Sequence, residues 1–356
     1  LLATEKFSAI GTSYKGKPFY PREDLVSAWK ILLLNQFHDI IPGTLTGLGV
    51  NDAYRDYQKL EASTSELLEN GLENIGNRIN TQIEGIPLVI YNPHSWPVSQ
   101  FVDAEISFVN PPDYFDIVDK NGESVNFTVK EKSEDGGRCL VTIDARGIPP
   151  LGFKMLEVVD KVPDELQTDL SVGQNEVENN HYKIQWDEKG LISIFSKKMN
   201  REILKDHGYT LELSEDNGST WSMDLTGKKY YPQTLSEPVV VYSSPIEAVV
   251  RWEDYFQSSK FVRYMTVKAD CDQIDFEMEV DWHDHEKLLR VVFPTGVEQG
   301  YAYYDQPYGY VRRNGISIES PAQKWIDCSN KEFGVSLLND GKYGFTINEA
   351  VLTMSV

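Results

Sequence analysis

The chain has 356 residues, of which 40% are hydrophobic and 12% aromatic, with 55 acidic and 34 basic residues and a formal charge of −21. This length fits two or three packed domains. The acidic balance argues against a nucleic-acid partner, because phosphate binding needs basic patches. No run approaches the roughly 20 apolar residues of a membrane helix, so no membrane partner is predicted.

The three cysteines, Cys139, Cys271 and Cys328, are far apart and form no CxxC pair. This spacing predicts neither a disulfide framework nor a zinc knuckle, and it favours a reducing cytoplasm. The chain does not begin with methionine, its start lacks a signal peptide, and its last residues are patterned as a strand without a closing turn. We therefore expect both ends to be cut from a longer protein.

Residues 1–85 have helical periodicity and predict a three-helix bundle. Residues 1–10 are typical of the end of a helix, and residues 21–39 predict a second one. Its expected buried face comprises Leu25, Trp29, Leu32, Leu33 and Gln36. A third helical pattern begins at residue 51, with Asn51 as its expected N-cap. It is either one long helix or two helices broken near Gly71.

Residues 29–44, WKILLLNQFHDIIPGT, are the most distinctive stretch. The predicted helix brings His38 and Asp39 to its end. Pro42 cannot continue a helix and Gly43 can adopt the left-handed conformation after it. The spacing alone favours a structural role for both side chains, because a metal site needs three or four ligands.

At Gly85 the hydrophobic period changes from that of a helix to that of a strand. Residues 86–165 predict a small antiparallel β domain, and residues 166–356 predict a large β-sandwich that is truncated at its C-terminus. The predicted fold class is therefore multi-domain α plus all-β, a three-helix bundle followed by a small antiparallel β unit and a large β-supersandwich.

Two further clusters deserve a chemical interpretation. His283 and His285 would face the same side of a strand and could meet one metal ion, but their charged flanks favour a solvated strand end. Tyr308 and Arg312 could bind a sugar, through ring stacking and forked hydrogen bonds, or could belong to a plain turn with exposed arginines. No GxGxxG or GxSxG motif is present, so neither a nucleotide site nor a serine-hydrolase elbow is predicted.

The segment NQFHDIIPGT closely resembles the start of the middle, helical domain in α-mannosidases of glycoside hydrolase family 38. The resemblance extends along nearly the whole chain. It includes LLATEKFSAI at the start, IPLVIYNPHSW at the entry to the β region, VENNHYKIQWDEKGLISIFSKKMNREIL at the start of the large sandwich, and DQPYGYVRRN in a later sheet.

The resemblance implies a portion of a retaining, zinc-dependent enzyme that hydrolyses terminal α-D-mannosides of oligosaccharides, with a galactose mutarotase-like sandwich. It implies that His38 ligates Zn²⁺ and that Asp39 contacts the sugar. Asn35 or Gln36 could support this pair, or could simply cap the helix or pack against it. It places Tyr308 and Arg312 at the rim of the active site as substrate-binding residues. The nucleophile, the acid/base and the other zinc ligands belong to an N-terminal barrel for which no matching motif is present, so no catalytic residue is predicted here.

Alone, the segment is expected to bind zinc weakly and to have no mannosidase activity. An alternative function is that of a non-catalytic carbohydrate-binding or assembly module on the same sandwich. A third is a sandwich-type mutarotase or lyase, which would need an acid/base pair near His283 and His285. The sequence leaves association into a homo-oligomer open.

Overall fold

The structure, a computed structural model, describes residues 1–13, 20–164, 168–219, 221–313 and 316–356. The chain divides into two compact units, Leu1–Leu166 and Gln167–Val356. The predicted domain boundary between residues 165 and 166 lies outside the described residues.

The first unit begins with three helices, α1 (Leu2–Ser13), α2 (Arg22–Leu34) and α3 (Gly47–Gly76). The third is one continuous helix. Its N-cap is Thr46, whose side chain accepts a hydrogen bond from the Gly49 amide at 3.4 Å. The prediction of Asn51 as the N-cap is therefore wrong, because the Thr46 hydroxyl already stabilises a start one turn earlier. Among the described residues, no helix is long and apolar enough to cross a membrane.

Gly71 explains why α3 continues through a residue that weakens helices. A Cβ atom there would lie 3.2 Å from the Phe7 carbonyl carbon and 3.2 Å from the Ser8 amide nitrogen, both in α1. Across the contact, a Cβ at Gly11 would lie 3.1 Å from the Gly71 carbonyl oxygen. The two glycines therefore allow close packing of the α1 and α3 backbones rather than a helix break.

Two three-stranded antiparallel sheets follow in the first unit, ordered β1-β6-β3 and β2-β5-β4. Their strands are β1 (Ile86–Tyr91), β2 (Val98–Ser107), β3 (Asp116–Val118), β4 (Phe127–Lys132), β5 (Arg138–Ile148) and β6 (Phe153–Val159). Side chains from both sheets form one core, including Ile106 and Val141 from one and Ile117 and Leu156 from the other.

The second unit is all-β in its described residues. Its strands are β7 (Ser171–Val172), β8 (Glu176–Glu178), β9 (Tyr182–Trp186), β10 (Leu191–Ser196), β11 (Arg201–Glu202), β12 (Thr210–Asp216), β13 (Leu225–Tyr230), β14 (Gln233–Ser243), β15 (Glu247–Phe256), β16 (Ser259–Lys268), β17 (Ile274–Asp281), β18 (Lys287–Pro294), β19 (Tyr301–Gln306), β20 (Gly309–Arg313), β21 (Ile316–Pro321), β22 (Trp325–Ser329), β23 (Gly334–Leu338), β24 (Gly344–Asn348) and β25 (Val351–Ser355).

These strands form four sheets, ordered β11-β10-β9-β8-β7, β13-β12-β18-β25-β24-β21, β14-β15-β16-β17 and β20-β19-β22-β23. One continuous apolar core receives side chains from all four, among them Ile184, Leu213, Trp252 and Tyr304. Each sheet thus buries one face against the others, as in a sandwich. The predicted fold class, α plus all-β, is confirmed.

Candidate functional site

Helix α2 ends at Leu34, so the prediction that it continues to residue 39 is wrong. Asn35 ends it. Its backbone amide donates to the Ile31 carbonyl at 3.1 Å, and its side-chain amide donates to the same carbonyl at 2.9 Å. The Asn35 side chain also donates to Asp56 Oδ2 in α3 at 3.1 Å. This buried asparagine therefore ends α2 and connects it to α3. Asparagine side chains compete with the backbone for hydrogen bonds in this way, and the spacing of the apolar residues does not reveal it.

His38 and Asp39 lie in the ordered turn that follows. The Ile41 amide donates to the Phe37 carbonyl at 3.1 Å, and the Thr44 amide donates to the Asp39 carbonyl at 3.0 Å. The Thr44 hydroxyl donates to Asp39 Oδ1 at 3.2 Å. Gly43 has a φ of 73°, which confirms its predicted left-handed conformation. The backbone bonds and the threonine hydroxyl together orient the Asp39 carboxylate.

The His38 ring faces solvent rather than an apolar interior, with 75% of its side chain exposed. Its centroid lies 4.2 Å from that of Phe37. Its Nε2 atom lies 3.6 Å from Asp39 Oδ2, which is too far for a good hydrogen bond. The ring is thus open to a ligand from outside the chain.

These two side chains could hold only part of a metal site. Among the described residues, no group of three or more His, Cys, Asp and Glu side chains lies close enough to hold an ion. A catalytic zinc site uses three protein ligands. An exposed imidazole fits one of those positions, and the remaining ligands would have to come from elsewhere.

The apolar surface beside His38 differs from the predicted one. Leu25 is buried, but Leu33 is exposed and Gln36 is exposed as well. The expected buried face of α2 is therefore wrong at two of its five residues. Gln36 lies beyond the end of the helix, and Leu33 is rotated about 80° around the helix axis from the buried Leu25. Leu34, Phe37 and Ile41 are more than half exposed.

Tyr308 and Arg312 belong to the hairpin of β19 and β20 in the second unit. Residues 307–308 form its turn, and Tyr308 is fully exposed with a φ of 67°. Such a backbone conformation normally favours glycine. The Arg312 guanidinium lies 4.7 Å from the centroid of the Tyr301 ring, so it is held over an aromatic face on the neighbouring strand.

His283 and His285 do not lie on a strand, because β17 ends at Asp281. His283 Nε2 lies 2.8 Å from Asp281 Oδ1, and both histidines are exposed. The described residues place no third ligand with them. The structure therefore favours the solvated surface over the metal pair.

Sequence reasoning missed three residues that shape the 35–44 turn. Thr44 orients Asp39, Asp56 accepts from Asn35, and the Tyr57 hydroxyl donates to the Asn35 carbonyl at 3.3 Å. The position of Thr44 at the end of the NQFHDIIPGT motif was a signal for the first. Nothing in the sequence pairs residue 35 with residues 56 and 57, because that contact depends on how α2 and α3 pack.

Two family sequence profiles match the chain. Residues 177–356 match "Glycosyl hydrolases family 38 C-terminal domain", and residues 1–75 match "Alpha mannosidase middle domain". The two matches cover the sandwich unit and the helices, respectively.

Full-length relatives show the same similarity. The chain is 24% identical to alpha-mannosidase 2C1 of Homo sapiens, over 99% of the chain and 33% of the relative. It is 23% identical to alpha-mannosidase G of Dictyostelium discoideum, over 91% of the chain and 33% of the relative. It is 22% identical to an alpha-mannosidase of Saccharomyces cerevisiae, over 97% and 29%. The chain thus spans about a third of the length of these relatives.

Solved structures have the same fold. A protein in the glycosyl hydrolase family 38 from Enterococcus faecalis superposes with a TM-score of 0.88 at 16% identity, over 99% of this chain and 50% of that one. An alpha-mannosidase from Enterococcus faecalis V583 superposes with a TM-score of 0.84 at 16% identity, over 99% and 48%. The likeness covers nearly all of the present chain.

Proposed function

This chain belongs to glycosyl hydrolase family 38, and from that premise we propose that it is the helical and sandwich portion of a retaining, zinc-dependent α-mannosidase. The substrate would be the terminal α-D-mannosides of oligosaccharides. The α-mannosidase names of the relatives support this activity. The third of their length that the chain spans supports a contribution to a larger enzyme.

The observation that carries the proposal is the ordered, solvent-facing pair of His38 and Asp39. A neutral imidazole is a good zinc ligand, so His38 would supply one ligand. Asp39, oriented by Thr44, would accept charge-assisted hydrogen bonds from sugar hydroxyls. When bound, the zinc ion would supply Lewis acidity and a template for the sugar.

The other groups would come from a catalytic barrel that precedes residue 1 in the complete protein. Such a barrel would hold the nucleophile and the acid/base, a pair of carboxyl groups about 5–5.5 Å apart in retaining enzymes. The exposed Leu34, Phe37 and Ile41 beside His38 support a covering domain, because soluble proteins seldom leave clustered apolar side chains in water.

Tyr308 and Arg312 are proposed as substrate contacts, on the exposure of the tyrosine ring and the fixed position of the guanidinium over Tyr301. The proposed compartment is the cytoplasm, because Cys139, Cys271 and Cys328 are free thiols, which is usual in reducing compartments.

The test uses the complete protein, including any residues before residue 1. We expect it to release mannose from a chromogenic α-mannoside, and we expect His38→Ala to lower both bound zinc and kcat/KM, the latter by more than about 100-fold. The matched control is His94→Ala, since His94 is another exposed histidine in the first unit and stacks on Trp96. Equal zinc content and equal kcat/KM in the two variants would rule out the proposed role of His38.

The isolated 356-residue chain gives a second test. We expect no turnover of the same α-mannoside, with or without added zinc, because the described residues contain no group of three metal ligands and the nucleophile is expected elsewhere. Turnover by this chain alone would contradict the division of the active site between two domains.

A further inference from the structure

The sheet β20-β19-β22-β23 has two chemically different faces. Its strands alternate strictly, and the register pairs Tyr303 with Arg312 on one side and with Asp327 on the other. The inward side chains are buried, among them Ala302, Tyr304, Ile326 and Cys328. The outward positions include Tyr301, Tyr303, Tyr310, Arg312, Trp325, Asp327 and Ser336. Outward positions of such a sheet are normally polar, so this concentration of aromatic rings has no role in the core.

Three of these rings surround an open cleft of about 430 Å³. The Tyr303 and Tyr310 centroids are 5.5 Å apart at 78°, and the Tyr310 and Trp325 centroids are 6.3 Å apart at 51°. The rings are tilted against each other and do not stack flat, so part of each face stays available. The volume falls within the range of roughly 300–1,000 Å³ that is common for small-molecule sites.

The cleft also has an oriented carboxylate. Asp327 Oδ1 accepts the hydroxyl hydrogen of Ser329 at 2.6 Å, and Asp327 Oδ2 accepts that of Ser336 at 2.7 Å. These bonds fix the carboxylate, while each of its oxygens keeps capacity to accept another hydrogen bond. Ser336 is itself exposed, so its oxygen can also accept.

This chemistry selects a class of ligand. Aromatic faces pack against apolar C–H surfaces, and a fixed carboxylate accepts hydrogen bonds from hydroxyl groups. Asp327 is the charged side chain among the residues that line the cleft, and it would repel a phosphate or another anion. A pyranose meets both requirements, because it is a neutral ring with an apolar C–H face and with hydroxyl groups at its edge.

We propose that the cleft lined by Tyr303, Tyr310, Trp325 and Asp327 is a binding site for a neutral oligosaccharide. The site belongs to the sandwich unit and uses no metal. Only the choice of α-mannosides as the preferred sugar rests on the proposed function. Because the cleft is open, binding is weak, with a Kd on the order of 1 mM for a short oligosaccharide.

The test is a calorimetric titration of the 356-residue chain, in metal-free buffer, with α-linked mannobiose and mannotetraose and with cellotetraose for comparison. We expect tighter binding of the α-mannosides.

Tyr310→Ala should weaken that binding by about tenfold or more, since it removes a stacking face. Tyr310 is 65% exposed, so the variant should fold. Asp327→Asn should weaken binding while leaving the rings in place. Trp96→Ala is the control, because it removes a 58% exposed aromatic side chain from the first unit.

Binding that is lost in Tyr310→Ala and kept in Trp96→Ala supports the site. Binding of cellotetraose alone would support the site and count against mannosides as its ligand, independently of the turnover assays above. No binding of any oligosaccharide at 20-fold above the expected Kd, or binding unchanged in Tyr310→Ala and Asp327→Asn, overturns the site. Concentration-dependent dimerisation abolished by Tyr310→Ala, without sugar binding, would assign the face to a second copy of the chain and also overturn it.

Discussion

His207 lies between two carboxylates, and its hydrogen bonds to them shift the pKa of its ring. Its Nε2 lies 2.8 Å from Asp187 Oδ2, and its Nδ1 lies 3.3 Å from Asp206 Oδ1. Only the protonated ring can donate to both acceptors. The hydrogen bond to Asp187 is the main reason that the pKa of His207 is raised above 6.5. Burial alone would raise the pKa of Asp187, but hydrogen bonds from His207 and from backbone amides lower it.

The raised pKa of His207 predicts how stability depends on pH. Its contribution to the free energy of unfolding is complete below pH 6.5, the unfolded value, and is lost as pH rises through the higher folded value. A third of the side chain is exposed, so we expect less than about 1 kcal/mol. Urea unfolding at pH 6.0 and 8.5 should show a loss in the wild type that His207→Gln removes. His285→Gln is the control, and an equal loss in wild type and His207→Gln would contradict the prediction.

At single positions, the sequence predicted a backbone conformation but not the contacts between residues far apart in the chain. The left-handed conformation of Gly43 followed from a Pro-Gly pair with fixed backbone preferences. The end of α2 at Leu34 did not follow, because it depends on the Asn35 side chain meeting Asp56 from another helix. The aromatic cleft also stayed hidden, since Trp325 and Tyr310 become neighbours only through strand pairing.

Elements with strict local patterns were predicted well. Alternation of apolar and polar residues predicts a strand at residues 153–159 and another at residues 182–186. They coincide with β6 (Phe153–Val159) and β9 (Tyr182–Trp186). The same alternation predicts only a short strand at residues 238–241, which in the structure is the much longer β14 (Gln233–Ser243). Its irregular register against β15 and its mostly exposed side chains obscure the alternation on which the prediction relied.

A buried ion pair joins β15 and β16. Arg263 Nε donates to Asp254 Oδ2 at 2.7 Å, and both side chains are at most 5% exposed. Arg263 also donates to the carbonyl oxygens of Tyr209 and Lys189. Its guanidinium lies 5.3 Å from the Tyr209 ring centroid and 5.5 Å from that of Trp252. The Arg263 charge is therefore compensated by a carboxylate, two carbonyl oxygens and two aromatic rings. Removal of either Arg263 or Asp254 leaves the other without its counterion in the core.

We expect Arg263→Met to lower the free energy of unfolding by about 3–5 kcal/mol, because Asp254 would keep a buried, unpaired charge. Asp254→Leu should cost a similar amount. The double variant should recover a large part of the loss, since two apolar side chains leave no buried charge. Urea unfolding of the four proteins measures the coupling. A double variant whose loss equals the sum of the single losses would show that the two side chains act independently.

At the scale of the whole molecule, 55 acidic residues against 34 basic ones give a formal charge of −21. Several exposed lysines pair with carboxylates, as Lys183 does with Glu176 at 3.0 Å, but such surface pairs contribute little each. The excess of negative charge remains, and it repels itself more strongly in the compact state than in the unfolded chain. Self-repulsion of this kind is reduced by dissolved ions, whose screening length falls from about 30 Å at 0.01 M to about 3 Å at 1 M.

We therefore expect the Tm of the chain to rise as NaCl is increased from about 10 mM to 500 mM at pH 7.5. The opposing loss of surface ion pairs should be smaller, since each such pair contributes little to the free energy of unfolding. Differential scanning calorimetry in NaCl and in sorbitol of matched osmolality separates charge screening from solute exclusion. A rise in NaCl that exceeds the rise in sorbitol supports the argument. A Tm that falls with NaCl would mean that specific ion pairs, and not the net charge, dominate the electrostatic free energy of this protein.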